Sequence, residues 1–191
     1  AVGPDRLDEI AAASDLTLVA TGKGGLASFF PIDDERTRYR EPQRRLLQVT
    51  LTGLDHGPDT FAYRAADGGR QSLFNLDSDN GEIFVGPFLH KDAGATWSFI
   101  VFAKPDGAWA PLIDTVTDSV SARQAIIDIF DEWFPADAPA IHELQVIDAD
   151  PYSWLTGGVT PTVRKPVGTT RSGRVVAAVG DTAIAVDPVA G

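Results

Sequence analysis

Leu46-Leu47-Gln48-Val49-Thr50-Leu51-Thr52 is the stretch that sets the reading of this chain. Leu47, Val49 and Leu51 alternate with Gln48, Thr50 and Thr52, a period of two that puts apolar groups on one face of a β-strand and polar groups on the other. Further along, Ile83 to Val85 and Trp97 to Ala103 read as strands too. In the second, Trp97, Phe99 and Val101 fall on one face and Ile100 and Phe102 on the other, so it reads as buried on both sides. Phe61 and Tyr63 repeat the alternation. Asp67-Gly68 and Asn80-Gly81 are tight-turn dipeptides, because Asn and Gly accept positive φ, and each separates two strand-like runs. The middle of the chain is therefore expected to be an antiparallel β-meander.

One helix interrupts it. Ile126, Ile127, Phe130, Trp133 and Phe134 share a stripe at helical spacing, with Asp118 or Ser121 as N-cap and Pro135 as the stop. Leu144 to Ile147 and Thr162 to Val167 are weaker strands, the second placed toward an edge by Pro161 and Pro166. Asp5 to Ala13 reads as a short helix after Pro4, followed by the compact apolar run Leu16 to Ala20. Val175 to Val179, equally apolar, has the character of a central parallel strand. The fold class is α+β: a meander packed on a helix, bracketed by two short strands able to pair in parallel.

With 191 residues, 43% hydrophobic and 23% charged, the chain has room for one well-packed domain, or one domain carrying part of another. No apolar run reaches the roughly 18 residues that span a bilayer. A formal charge of -11 repels phosphate backbones and anionic lipid, and the basic residues Arg36, Arg38, Arg40, Arg44 and Arg45 are interleaved with Asp33, Asp34, Glu35 and Glu41. That segment reads as a solvated, salt-bridged surface, so neither nucleic acid nor membrane is an expected partner. The absence of cysteine excludes disulfides and thiolate chemistry and fits a cytoplasmic location. The start at Ala1 and the end at Gly191, inside a turn-like signature, are read as those of a piece of something longer.

Several site types are set aside. His56, His90 and His142 are single and widely spaced, so no metal centre is expected. Asn75, Asp77 and Asp79 imitate the start of a calcium loop, but Gly81 is misplaced and Gly86 stands where a bidentate Glu is needed. The run Gly22-Lys23-Gly24-Gly25 lacks the Walker spacing, and Ser153 and Ser172 lack a nucleophile-elbow context.

The most informative stretch follows the last apolar run: Gly180-Asp181-Thr182-Ala183, then Asp187-Pro188-Val189-Ala190-Gly191. It resembles the Gly-Asp motif of flavoprotein monooxygenases, in which a Pro stands eight residues after the Gly and another Gly three further on. Gly180, Asp181, Pro188 and Gly191 keep those spacings. The run Ala20-Thr21-Gly22, ending the first apolar strand, is similar to the strand that flavoproteins place beside the Gly-Asp strand. Two departures point within the group. The stretch after Gly22 has no Asp and no Arg of the kind that single-component hydroxylases use for FAD and NADPH, and Ile184 stands where they often have His. With Pro161-Thr162-Val163-Arg164-Lys165-Pro166-Val167, these look most like the oxygenase component of styrene and indole monooxygenases.

The resemblance implies an enzyme whose cofactor is FAD, reduced by a separate NADH-dependent flavin reductase, and whose substrate is a small apolar aromatic, styrene-like or indole-like, that is epoxidised. Residues 1–32 and 171–191 would be parts of an incomplete FAD-binding α/β domain, and 33–170 the substrate-binding domain. Ala20, Thr21, Gly22, Gly180, Asp181, Pro188 and Gly191 are the implied cofactor-binding residues, Asp181 facing the ribityl hydroxyls. No acid–base pair is implied, so no residue is assigned a catalytic role. Val189 and Ala190 would lie near the flavin ring, and Phe84, Phe99 and Val101 are the candidate pocket wall, with plain core packing as the alternative. The dinucleotide fingerprint is expected upstream of Ala1, and this piece alone is expected to retain little or no FAD and to be inactive. A non-catalytic ligand-binding or interaction module, or a related flavin hydroxylase or halogenase, are the other readings the residues allow.

Overall fold

The computed structural model describes residues 2–57, 59–64 and 72–186. In chain order the helices and strands are α1 (Pro4–Ala12), β1 (Leu18–Val19), β2 (Arg45–Leu51), β3 (Leu73–Asp77), β4 (Gly81–His90), β5 (Gly94–Ala103), α2 (Trp109–Asp114), α3 (Ser119–Trp133), α4 (Ala138–Glu143), β6 (Trp154–Gly157), β7 (Thr162–Val163), β8 (Val167–Thr169), β9 (Val175–Ala178) and β10 (Ile184–Ala185). They fall into a central unit, 44–158, and a flanking unit made of 1–43 and 159–191. The sequence placed the divisions after residues 32 and 170. In the structure, residues 33–43 and 159–170 belong with the flanking unit, because Asp33 N–H donates to the Val163 carbonyl (2.9 Å) and Thr37 Oγ1 both donates to and accepts from the Val163 backbone.

The central unit is a five-stranded antiparallel sheet in the order β3-β4-β5-β2-β6. β2 pairs with β5 from Arg45↔Ala103 to Leu51↔Trp97, and β4 with β5 along ten residue pairs. The Asn80-Gly81 turn closes β3 onto β4. Asp77 Oδ1 accepts from the N–H groups of Asp79 (3.0 Å) and Asn80 (2.9 Å), and Gly81 has φ 132° with the Phe102 carbonyl 2.1 Å from where a Cβ would sit, so only glycine fits there. The Asp67-Gly68 turn lies outside the described residues.

Alternation divides this sheet into two faces. Leu47, Val49, Leu51, Ile83, Val85, Phe99 and Val101 are fully buried, and the helices cover them. Phe99 meets Phe130 of α3 edge to face at 6.0 Å, and Trp109 of α2 packs against Phe134 at 5.8 Å. α3 forms where its apolar stripe predicts. Asp118 and Ser121, alternatives for the cap, are two halves of one capping box: Ser121 N–H donates to Asp118 Oδ1 (2.7 Å) and Asp118 N–H to Ser121 Oγ (3.0 Å).

The sequence missed α2, α4 and β6, each six residues or fewer and too short to declare a period. Phe61 and Tyr63 are not a strand. Phe61 has φ 56° and precedes a 3₁₀ turn, with its ring buried against Trp97 at 4.8 Å. Leu144 to Ile147 contributes only the isolated bridge Gln145↔Thr52, and Thr162 to Val167 breaks into β7, a bridge at Arg164 and β8, with Pro166 interrupting the ladder.

Asp137, wholly buried, anchors this irregular segment. Its carboxylate accepts from Tyr63 Oη (2.7 Å), Arg64 Nε (2.9 Å), Asn75 Nδ2 (3.1 Å) and Arg64 Nη2, tying the turn to the start of α4 and to β3. Burial alone would push its acidity weaker. The hydrogen bonds from Arg64, Tyr63 and Asn75 outweigh that and hold the carboxyl below its ordinary 3.8. Burial and the same carboxylate push the Tyr63 phenol up.

In the flanking unit β1, β9 and β8 form a small sheet in that order. β1 and β9 run parallel with Leu18↔Ala177 and Val19↔Ala178 in register, and β8 pairs antiparallel with β9. Val19, Val176 and Ala178 pack on Leu7, Ala11, Leu26 and Phe30. The opposite face is open: Leu18 is 55% and Val175 67% exposed, where the sequence suggested burial on both sides. β10 pairs with β7.

Two outcomes follow from these packings. Phe99→Ala should cost about 3–5 kcal/mol, whereas Phe84→Ala, on the other side of the sheet, should cost about 1 kcal/mol or less, measured by urea unfolding. Arg64→Met should destabilise by about 2–3 kcal/mol at pH 7, the low end for a buried pair because the Arg64 side chain is 36% exposed. Because the Asp137 carboxyl is held low when folded, its contribution is present above about pH 4 and is lost as pH falls through the folded value. The gap between wild type and the Arg64 variant should therefore narrow in acid titrations.

Candidate functional site

The face of the central sheet that points away from the helices is built by the same alternation. Reading across β6, β2, β5, β4 and β3, register gives a middle row Leu155, Gln48, Ile100, Phe84 and Phe74. To one side lie Leu46, Phe102, Glu82 and Leu76; to the other, Thr50, Ser98 and Gly86. Toward its edges Phe74 is 60%, Leu76 64% and Leu155 67% exposed, with Phe84 42%, while Phe102 and Thr50 nearer the middle are buried. A face turned away from a helix layer is ordinarily polar, so the exposed aromatic and aliphatic groups here make it the candidate binding surface. Gly86 shapes it: a Cβ at that position would lie 3.1 Å from the Phe84 ring, so glycine is what lets the ring lie along its own strand.

One polar cluster interrupts this platform. Gln48 Nε2 donates to Thr50 Oγ1 (2.9 Å) and to Ser98 Oγ (3.4 Å). At the rim, Arg44 Nε stands 3.7 Å from Glu82 Oε2. The surface is thus an apolar plate with a fixed carboxamide near its middle, suited to orienting a flat ring rather than to proton transfer.

Among the residues read from sequence as the pocket wall, the structure keeps only Phe84 on this face. Phe99 and Val101 project to the opposite side, fully buried beneath α3, because they sit one residue out of phase with Ile100, the partner of Phe84. Sequence reasoning missed Phe74, Leu76, Ile100 and Leu155. The signal for them was apolar residues at positions that a one-sided strand should fill with polar ones.

In the flanking unit, Ala20, Thr21 and Gly22 follow β1, and Gly180 and Asp181 follow β9, so all five stand at the carboxyl ends of two adjacent parallel strands. Val179 N–H donates to the Val19 carbonyl (3.0 Å) and Thr182 Oγ1 to the Gly22 carbonyl (3.1 Å), which locks the two strand ends together. Gly22 and Gly180 have φ 65° and 59°, and nothing lies within 4 Å of a Cβ built on either. Asp181 is exposed and pairs with no described residue. Two open glycine backbones beside a carboxylate, at strand ends, fit a ligand rich in hydroxyls. Pro188, Val189, Ala190 and Gly191 lie outside the described residues.

A concavity of about 320 Å³ lies elsewhere in the central unit, between α2 and β6, lined by Arg45, Asp114, Thr156 and Gly157 among others. It is polar and lies on the helix side, away from the aromatic plate. Among the described residues no group of three or more His, Cys, Asp or Glu could hold a metal ion, and no helix is long and apolar enough to cross a membrane. The basic segment is tied up locally, Arg36 with Asp33, Arg40 with Asp34 and Arg45 with Asp114.

The family described as the styrene monooxygenase A substrate-binding domain matches residues 22–139. The chain is 25% identical over 194 aligned residues to styrene monooxygenase StyA of a Pseudomonas species, and 24% identical over 192 to styrene monooxygenase StyA of Pseudomonas fluorescens. Each alignment covers all of this chain and 44% of the relative, so the chain spans less than half the length of the curated relatives it matches.

Proposed function

Because the chain belongs to the family of styrene monooxygenase A substrate-binding domains, we propose that it positions a small aromatic alkene for epoxidation in an FAD-dependent monooxygenase fed with reduced FAD by a separate reductase. The observation that carries this reading is the aromatic plate on the open face of the central sheet. The reduced flavin, when bound, supplies the activated form of oxygen; the protein's part is to place the substrate double bond and keep water away.

The roles divide between the two units. Phe84 and Phe74 offer ring edges and faces, and Ile100 and Leu155 an aliphatic floor, against which a styrene-sized ring buries its surface. The Gly22 and Gly180 backbones and the Asp181 carboxylate would hold FAD, the carboxylate accepting from ribityl hydroxyls. The exposed face of β1 and β9, with Leu18 and Val175, is the kind of surface that a further layer of a cofactor domain covers, which supports placing these strands in an FAD-binding domain.

The test uses the full-length protein that carries this segment, with FAD kept reduced chemically or by a flavin reductase, and styrene as substrate. Styrene oxide should form, and Phe84→Ala should lower kcat/KM about tenfold through loss of ring packing. Asp181→Ala should raise the Kd for reduced FAD by about tenfold or more, read by fluorescence titration, since a charge-assisted hydrogen bond is lost. Absence of any oxygenated product from wild-type protein with reduced FAD and oxygen would sink the assignment.

A further inference from the structure

Thr182 is wholly buried and comes directly after the exposed Asp181. Threonine hydroxyls commonly bond to backbone a few residues away. This one instead donates to the Gly22 carbonyl, 160 residues distant in sequence. The bond from Val179 N–H to the Val19 carbonyl is the last backbone rung between β1 and β9, and among the described residues the Thr182 hydroxyl makes the one hydrogen bond that joins the two turns beyond that rung. Neither turn is wedged in place at its glycine, since a Cβ built on Gly22 or Gly180 would meet nothing within 4 Å. The turn carrying Asp181 is otherwise closed on itself: Ala183 N–H donates to the Gly180 carbonyl (2.8 Å), and the Ala183 carbonyl accepts from Arg164 N–H (2.8 Å). A valine at 182 would fill the same volume, so what the hydroxyl adds is direction.

We propose that Thr182 is a positioning residue for the flavin: its hydroxyl clamps the Gly22 turn to the Gly180–Asp181 turn and so fixes the Asp181 carboxylate relative to the Gly22 backbone. This rests on the reading above that FAD is held at these strand ends. Thr182 touches no cofactor, because its side chain is wholly buried; it acts through Asp181, the residue before it. Pinning residue 182 inward leaves the carboxylate on the solvent side, with its backbone held at both neighbours. Two turns moving independently would each have to be ordered when the cofactor binds, whereas clamped together they present one preformed cradle, and the ordering cost falls on folding instead of on binding.

A double-mutant cycle on the full-length protein tests this, with the Kd for FAD read by fluorescence titration. Thr182→Val, which keeps the volume and removes the donor, should raise Kd about fivefold. Added to Asp181→Ala, the same change should raise it less than about twofold further, since a residue that acts through Asp181 has nothing left to position. Thr182→Ser keeps the hydroxyl and should stay within about twofold of wild type. If Thr182→Val does not fold, Thr182→Ser against Thr182→Ala makes the same comparison, because both lack the methyl and only the serine can donate. Fully additive losses, a serine variant as weak as the valine or alanine one, or unchanged affinity in Thr182→Val would each overturn the positioning role while leaving Asp181 as a flavin ligand. Equal affinity in wild type and Asp181→Ala would remove the FAD reading of these strand ends, and the role of Thr182 with it.

Discussion

Pairing of β2 with β5 is the constraint on which the central unit depends. Seven residues of β2 are matched one to one with β5, and because side chains alternate strictly, that single register decides which residues meet the helices and which do not. A slip of β2 by one residue would bring Gln48 and Thr50 under α3 and expel Leu47 and Val49 to the outside. The cost of burying a carboxamide and a hydroxyl among Phe130, Ile126 and Ile129 forbids it. The core and the candidate site are therefore two sides of one register.

The second face is unusual for having so much apolar surface. In β3, Leu73 and Asn75 turn inward while Phe74 and Leu76 turn outward, and in β4 Ile83 and Val85 turn inward while Phe84 turns outward. Covering one side of this sheet with α2, α3 and α4 satisfies the fold. The other side, with Phe74, Leu76, Phe84 and Leu155 open, is what a substrate domain would reserve for its ligand, and the family to which the chain belongs is named for that task. Gln48 is set in the middle of that reserve, held by two hydroxyls.

The flanking unit has a different logic. β1 and β9 come from distant parts of the sequence and pair in parallel, and each is followed within three residues by a glycine at positive φ, Gly22 and Gly180, with an exposed polar residue beside it, Thr21 and Asp181. Parallel strand ends collect ligand groups because the chain leaves the sheet there and backbone groups face outward. Asp137, by contrast, is a buried charge whose four hydrogen bonds fasten an irregular segment; it serves the architecture of the central unit, not the face where a substrate would lie.

What the residues determined unaided was periodic and local: the alternation of β2 and β5, the stripe and cap of α3, the Asn80-Gly81 hairpin, and the Gly-Asp spacing after the last apolar run. Each is written within a few neighbours, so propensity and period suffice to read it. Short elements such as α2, α4 and β6 were illegible because a turn and a half carries no period, and Phe61 and Tyr63 were misread because two alternating residues do not distinguish a strand from a turn that spends both side chains on distant partners. Only the tertiary structure decided which side chains share the face away from the helices. Phe84, Phe99 and Val101 look alike in sequence, yet one faces outward and two lie beneath a helix, since a side chain's face depends on the register of strands far apart in the chain, and that register is set by the packing of the whole sheet.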